Sequence, residues 1–455
     1  MKKAISKALA AGMAIVMTLS IAACGSSTPA ATSTSTAAAS SAAPSSTAAE
    51  SSAPAGEPVK LTFWHIQTTE PFPGLMEEWM KNFSAENPNY TVEVTAVQND
   101  AFKQKLLISM SSNQSPDIFP HWSGGPMNQY ADEGKIADLT TYMNENNYKD
   151  RFMTAAINQA TYKDKIWAVP VENTSVAMFF YNKELFAKYN LQVPKTIKEL
   201  EALCDTLKKN GIIPFSLANK TQWTGSMYYM YLADRFGGPE PFNAAAQRTG
   251  SFENEAFTQA GNKIQEWVKK DYFNKGFNGL DEDSGQSRTL LYSGKAAMTL
   301  MGSWFLSTVK GENQEFFDKN VGSFPFPAAD DGKGDPNSVV GTVGDNFYSV
   351  SATSKDVAGA FKAITYLIDD KAVATRIENG RVPPVKGVKV TDPRLQDVLN
   401  AVEKAPYVQL WYDQYLPAEV AQVHKDTSQA IFGLAKTPEQ VNKEMEAAAK
   451  KYFGK

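Results

Sequence analysis

Few residues in this chain could do covalent or metal chemistry. It has three histidines, His65, His121 and His424, and two cysteines, Cys24 and Cys204. A metal centre needs several such ligands at short spacing, as in HExxH, and these five are scattered, so no metal site is expected. SGKAA at 293–297 is no phosphate loop, because Thr289 stands where the loop needs its glycine and alanine follows Lys295. Ser307 to Lys310 spells SxxK without an accompanying KTG, and no GxSxG elbow occurs. Asp281 and Asp283, in DEDSG, read as a solvated loop rather than a glycosidase pair. DDGKGD at 330–335 reads as a tight turn without the acid spacing of a calcium loop. No catalytic set and no cofactor is expected. What the chain does have is eight tryptophans. Trp79 and Trp267 lie in helical patterns and Trp167 precedes a strand, so these three read as core. Trp64, Trp122, Trp223, Trp304 and Trp411 fall near strand ends or in loop-like segments, where an indole face can meet a ligand.

The elements that must position them begin after a targeting segment. Residues 1–24 read MKKAISKALAAGMAIVMTLSIAAC, a basic start, an apolar run and a cysteine after small residues. That is the layout of a secretory leader, and the run is short for a membrane span. Residues 25–57 are almost all Ser, Thr, Ala, Pro and Gly, with nothing apolar enough to offset ordering, so a disordered tether is expected. The chain counts 45 Lys and Arg against 49 Asp and Glu, a formal net charge of −4, and three of the lysines lie in the leader. An acidic chain argues against nucleic acid as partner.

The body opens with VKLTFWHI, rich in β-formers. In LMEEWMKNFSAENP, Leu75, Met76, Trp79 and Phe83 recur at helical spacing until Asn87-Pro88 ends the run. TVEVTAV alternates like a strand, AFKQKLLISMSS reads as a helix and DIFPHW as a strand, which together predict a parallel-rich α/β lobe. A second block starts at IWAVPVENTSVAMFFYNKELF and carries helical stretches near 197–209, 226–236 and 256–270. NFYSVSATSKDVAGAFKAITYLIDD reads as strand then helix, and 408–453 as largely helical. Cys204, inside the amphipathic TIKELEALCDTLKKNG, reads as a small buried side chain.

Several segments, in order, resemble the family 1 extracellular solute-binding proteins, the carbohydrate-capturing lipoproteins of ABC importers, with maltose-binding protein a distant relative. They are LTFWH (61–65), SPDIFPHWSGG (115–125), DEGKIADLT (132–140), YKDKIWAVPVENTSVAMFFYNKELF (162–186), PKTIKEL (194–200), SGKAAM (293–298), GSW (302–304) and FPFP (324–327). Ile21-Ala22-Ala23-Cys24 resembles a bacterial lipobox, which implies cleavage before Cys24 and acylation of its thiol. The resemblance implies an α/β, two-lobed periplasmic-binding-protein-like fold with inter-lobe hinge strands and a ligand cleft. Carried onto this chain, it gives a lipoprotein signal peptide over 1–23 and a lipidated Cys24 with its tether over 24–57. One lobe then spans 58–172 plus 345–381, and the other 173–344 plus 382–455. The crossings fall near Glu172 to Ser175, Gly341 to Gly344 and Arg381 to Pro384.

A sugar presents flat apolar faces and a rim of hydroxyls, so its site needs aromatic platforms and short polar groups. Trp122, Trp223 and Trp304 lie where the family places cleft aromatics. Asp345 and Asn346 in VGDNF, Glu172 and Asn173 in PVENT, Gln67 and Arg381 are the expected hydroxyl partners, with Tyr412 and Asp413 on the closing lobe. His65 is expected to face the cleft while Trp64 packs inward. The expected protein is a non-enzymatic, monomeric receptor, lipid-anchored outside the cytoplasmic membrane, which hands a di- or oligosaccharide to a permease. A surface-anchored carbohydrate-active hydrolase, a receptor for a non-sugar solute and an adhesin are the alternatives.

Overall fold

Alternation along Val59–His65 buries Leu61, Phe63 and His65, and makes this strand the centre of a parallel trio. The computed structural model describes residues 58–454, so the leader, Cys24 and the tether lie outside the described residues. After the strand, the Phe72–Glu86 helix buries Phe72, Met76, Trp79, Met80 and Phe83 along one face and ends where the Asn87 side chain donates to Phe83 O at 2.8 Å. Tyr90–Ala96 and Ile118–His121 flank the first strand, both parallel to it, with the Asn99–Ser111 helix as crossover. The βαβ pattern read from the sequence is therefore present.

Two long strands carry the chain away from this lobe. Val169–Asn182 and Val339–Val350 pair antiparallel, from Tyr348 opposite Val169 to Gly341 opposite Val176. Val169, Val171, Phe347, Tyr348 and Val350 belong to one apolar core. Val176 to Phe180, Val339 and Val340 belong to a second. Each strand thus runs through both cores, and the segment between them is the hinge. The second core is completed by Ala296–Gly302, Ile213–Phe215 and Val321–Phe324 and by a helical shell that includes Ile197–Lys209, Trp223–Gly237 and Glu255–Lys269. Cys204 is fully buried there, and burial pushes its thiol well above the ordinary range.

The pairing of the two long strands is interrupted on both sides of Asp345. Gly344 at φ +97° and Asn346 at φ +57° form the irregularity, and a Cβ on Gly344 would stand 2.9 Å from Pro170 Cβ. Gln159 Oε1 holds the preceding turn, accepting from the Thr342 hydroxyl at 2.6 Å and Val343 N at 3.1 Å. A third crossing follows Gly380, where Val382 N donates to Asn173 Oδ1 at 2.7 Å and Thr174 N to Val382 O at 2.6 Å.

Candidate functional site

A cavity of about 200 Å³ opens where the two cores face one another across these hinge segments. Its floor is a connected set of polar groups. Glu172, 2% exposed, receives Arg376 Nη2 at 3.2 Å and the Tyr348 hydroxyl at 3.2 Å on Oε1, and Arg381 Nη1 on Oε2. Arg381 lies with its guanidinium 3.3 Å from the Phe72 ring centre and donates through Nη2 to Gln67 Oε1 at 2.7 Å. Burial lowers Arg381 to about 10, opposed by the Glu172 charge. Gln67 Nε2 donates onward to Asn346 Oδ1 at 3.2 Å. Asn346 N donates to Asp345 Oδ1 at 3.1 Å, and the Ser175 hydroxyl to Asp345 Oδ2 at 3.2 Å. Burial pushes the Asp345 carboxyl up to about 6, against the Ser175 hydrogen bond and with help from the Glu172 charge. The bulge is what aims Asp345 and Asn346 at this floor, because an uninterrupted strand would alternate them between its two faces.

The walls are indoles. Trp304 stands edge-on to Trp223, with ring centres 6.0 Å apart, and to Trp411 at 5.9 Å, all three from the second lobe. A Cβ on Gly302 would collide with the Trp304 ring, so glycine there makes room for the indole to fold back across the strand end. Trp122 faces them from the first lobe, with Lys103 Nζ 4.7 Å from its ring centre. Flat apolar faces on opposite sides of a polar floor are what a ligand with apolar faces and a hydroxylated edge requires.

Of the residues singled out from sequence, Gln67, Trp122, Glu172, Asn173, Trp223, Trp304, Asp345, Asn346, Arg381 and Asp413 line this cavity. Their duties differ. Glu172 and Arg381 spend their polar atoms on each other and on Arg376, Tyr348, Gln67 and Ser307, and Asn173 pins Val382. Asp345, Asn346 and Asp413 keep more capacity, and the buried Trp223 Nε1 has no hydrogen-bond partner among the described residues.

His65 and Tyr412 do not face the cavity. His65 shares the buried parity of Leu61 and Phe63, and burial lowers it to about 4. Its neutral Nδ1 accepts from Gln67 N at 3.2 Å, so it shapes the turn that presents Gln67. Trp64, expected to pack inward, is half-buried beneath Lys105 Nζ at 3.9 Å. The Tyr412 ring lies flat against Phe242, with centres 3.6 Å apart, and its neighbour Trp411 takes the cleft position.

DEDSG is not simply a solvated loop. Glu282 is buried and pairs with Arg288 at 2.6 Å, and Asp283 lines the cavity. Burial and the charges of Asp100, Asp281 and Glu282 push Asp283 up to about 6. Carboxylate oxygens of Asp100, Asp281 and Asp283 come within 4.8 Å of one another. Asn99 and Lys103 also line the cleft without having been singled out. Their four-residue spacing, which puts both on one face at the start of a helix following a strand, was the available signal.

A family model described as bacterial extracellular solute-binding protein matches residues 65–374. The multiple sugar-binding protein of Streptococcus mutans is 25% identical over 342 residues, 72% of this chain and 76% of that protein. A structure solved in work on xylan utilization by Caldanaerobius polysaccharolyticus is 32% identical, covers 86% of this chain and 99% of its own, and superposes with a TM-score of 0.80. A chitin oligosaccharide binding protein is 26% identical over 88% of this chain and 100% of its own, with a TM-score of 0.81.

Proposed function

This chain belongs to the bacterial extracellular solute-binding proteins, and from that premise we propose that it captures a di- or oligosaccharide outside the cytoplasmic membrane and delivers it to an ABC import permease. The observation that carries the ligand class is the set of tryptophans facing one another from two lobes, Trp122 against Trp223, Trp304 and Trp411, over the hydrogen-bonded floor. The sugar-binding relatives support the same reading. More than one platform suits more than one sugar ring.

In mechanism, the body alternates between open and closed arrangements of lobes assigned as 58–172 plus 345–381 and 173–344 plus 382–455. Ligand bridging both lobes favours the closed form, whose outer surfaces the permease recognises. The Cys24 thiol carries the lipid, cleavage before Cys24 removes residues 1–23, and the Ser/Thr/Ala-rich tether lets a monomeric body reach its transporter. No helix among the described residues is long and apolar enough to cross a membrane. The role is binding without turnover.

The test is a thermal-shift panel on residues 58–455, unfolded and refolded to strip any bound ligand, against mono-, di- and oligosaccharides, amino acids, polyamines and peptides. A ligand at a hundredfold excess over its Kd adds about 2.7 kcal/mol. Stabilisation confined to one sugar class is the expected result, and stabilisation by a peptide or polyamine alone would overturn the ligand assignment. Release of shorter sugars during incubation would replace receptor by hydrolase.

A further inference from the structure

At two places on the cleft rims one lobe meets the other's main chain through glycine. On one rim Gly124 and Gly125, at the start of the Gly125–Asp132 helix whose Met127 enters the first core, lie against Gln414 to Leu416, whose Leu416 enters the second. A Cβ on Gly124 would stand 2.5 Å from Gln414 O, and one on Gly125 would stand 2.8 Å from the Leu416 carbonyl carbon. On another rim Gly311, in the Phe305–Glu312 helix of the second lobe, faces the first lobe at Glu70, where a Cβ would collide with the carbonyl oxygen. Backbone oxygens cannot turn aside as a flexible side chain can, so any side chain at these positions holds the lobes apart.

We propose that Gly124–Gly125 and Gly311 form a closure clasp, two side-chain-free contacts that admit the ligand-bound arrangement and set how tightly the cleft grips. This rests on the receptor reading above. The clasp glycines are positioning residues, because affinity depends on the closed state being reachable. Gly125 and Gly311 lie outside the positive-φ region, so alanine fits their backbone in a lobe standing open. At Gly311, inside a helix, alanine should maintain or raise the Tm of the ligand-free body. Weaker binding together with undiminished stability is an outcome that simple misfolding does not give.

The experiment labels Lys81→Cys and Lys319→Cys, one exposed position on each lobe, with spin probes, the native Cys204 being buried. Inter-probe distances and Kd are measured for the otherwise wild-type body, for Gly125→Ala and Gly311→Ala, and for Gly74→Ala, a helical glycine with nothing within 4 Å of its would-be Cβ. With the sugar found by the panel, the parent and Gly74→Ala should reach the separation seen in the structure. The two clasp variants should retain the ligand-free separation, bind about tenfold more weakly or worse, and keep their ligand-free Tm. Parental Kd and closure in both clasp variants would overturn the clasp. A parent that binds no sugar sinks the receptor reading instead. The clasp is then decided on the ligand-free distributions, which must show more of the short separation in the parent than in the clasp variants, and equal distributions overturn it.

Discussion

Glu172 is the residue on which the cleft floor depends, because one buried carboxylate balances two buried guanidiniums, Arg376 and Arg381. Glu172→Gln would leave both charges without a counter-ion and should cost about 3–5 kcal/mol in denaturant unfolding. Asp345 behaves oppositely. Its folded-state pKa of about 6 lies above the ordinary carboxylate value, so the stability it contributes is complete at low pH and lost as pH rises through 6. Asp345→Asn removes that loss, so the variant should gain on wild type between pH 4 and pH 7 in paired melts while binding sugar less tightly. Which residues gather at the floor was legible from PVENT, VGDNF and NGRVPP once the family resemblance was recognised. Their division of labour was not, since the Glu172–Arg376 pair joins residues 204 positions apart. His65 was misassigned because the alternation that sets Lys60 and Thr62 against Leu61 and Phe63 has to be carried to the end of the strand, where it puts Trp64 on the more open face and His65 on the buried one.

Among the elements, the bulge in Val339–Val350 matters most to the site. Gly344→Ala would force alanine to a φ of +97° and crowd Pro170, and should destabilise the body by about 1–3 kcal/mol. Because Asp345 and Asn346 would move with it, calorimetric titration should show weakened sugar binding beyond what the stability loss explains. The two glycines of GTVG announced a relaxed backbone, but not the register shift that re-aims the next two side chains. The Trp223–Gly237 helix starts ahead of the stretch read from sequence, because Thr224 to Arg235 are all buried and so give no amphipathic stripe to mark its first turn. That earlier start makes Trp223 a helix-initial wall residue rather than part of a loop.

At the scale of the whole molecule, burial holds His65 and His121 at about 4 and His424 at about 3, below the ordinary histidine value. Depressed folded-state values contribute stability that is present above pH 6.5 and lost as pH falls through 4, while the raised carboxyls of Asp345 and Asp283 act in the opposite sense, so in paired melts a His424→Gln variant should lose less Tm, or gain more, than the parent from pH 6.5 to pH 4. The βαβ lobe and the helical C-terminal region were legible from segment order and periodicity, and the hinge crossings only from what the family resemblance implies. The approach of Asp100 to Asp281 and Asp283 was not, because it depends on how the lobes meet. The central claim is that the cleft binds a carbohydrate between tryptophans of both lobes. Calorimetric titration of residues 58–455 and of its Trp304→Ala variant with the stabilising sugar, followed by chromatography of the recovered ligand, tests it most directly. The predicted result is one sugar bound per chain, recovered intact, with affinity reduced by about 1–4 kcal/mol in the variant. Unchanged affinity in Trp304→Ala, or a ligand recovered in pieces, would contradict it.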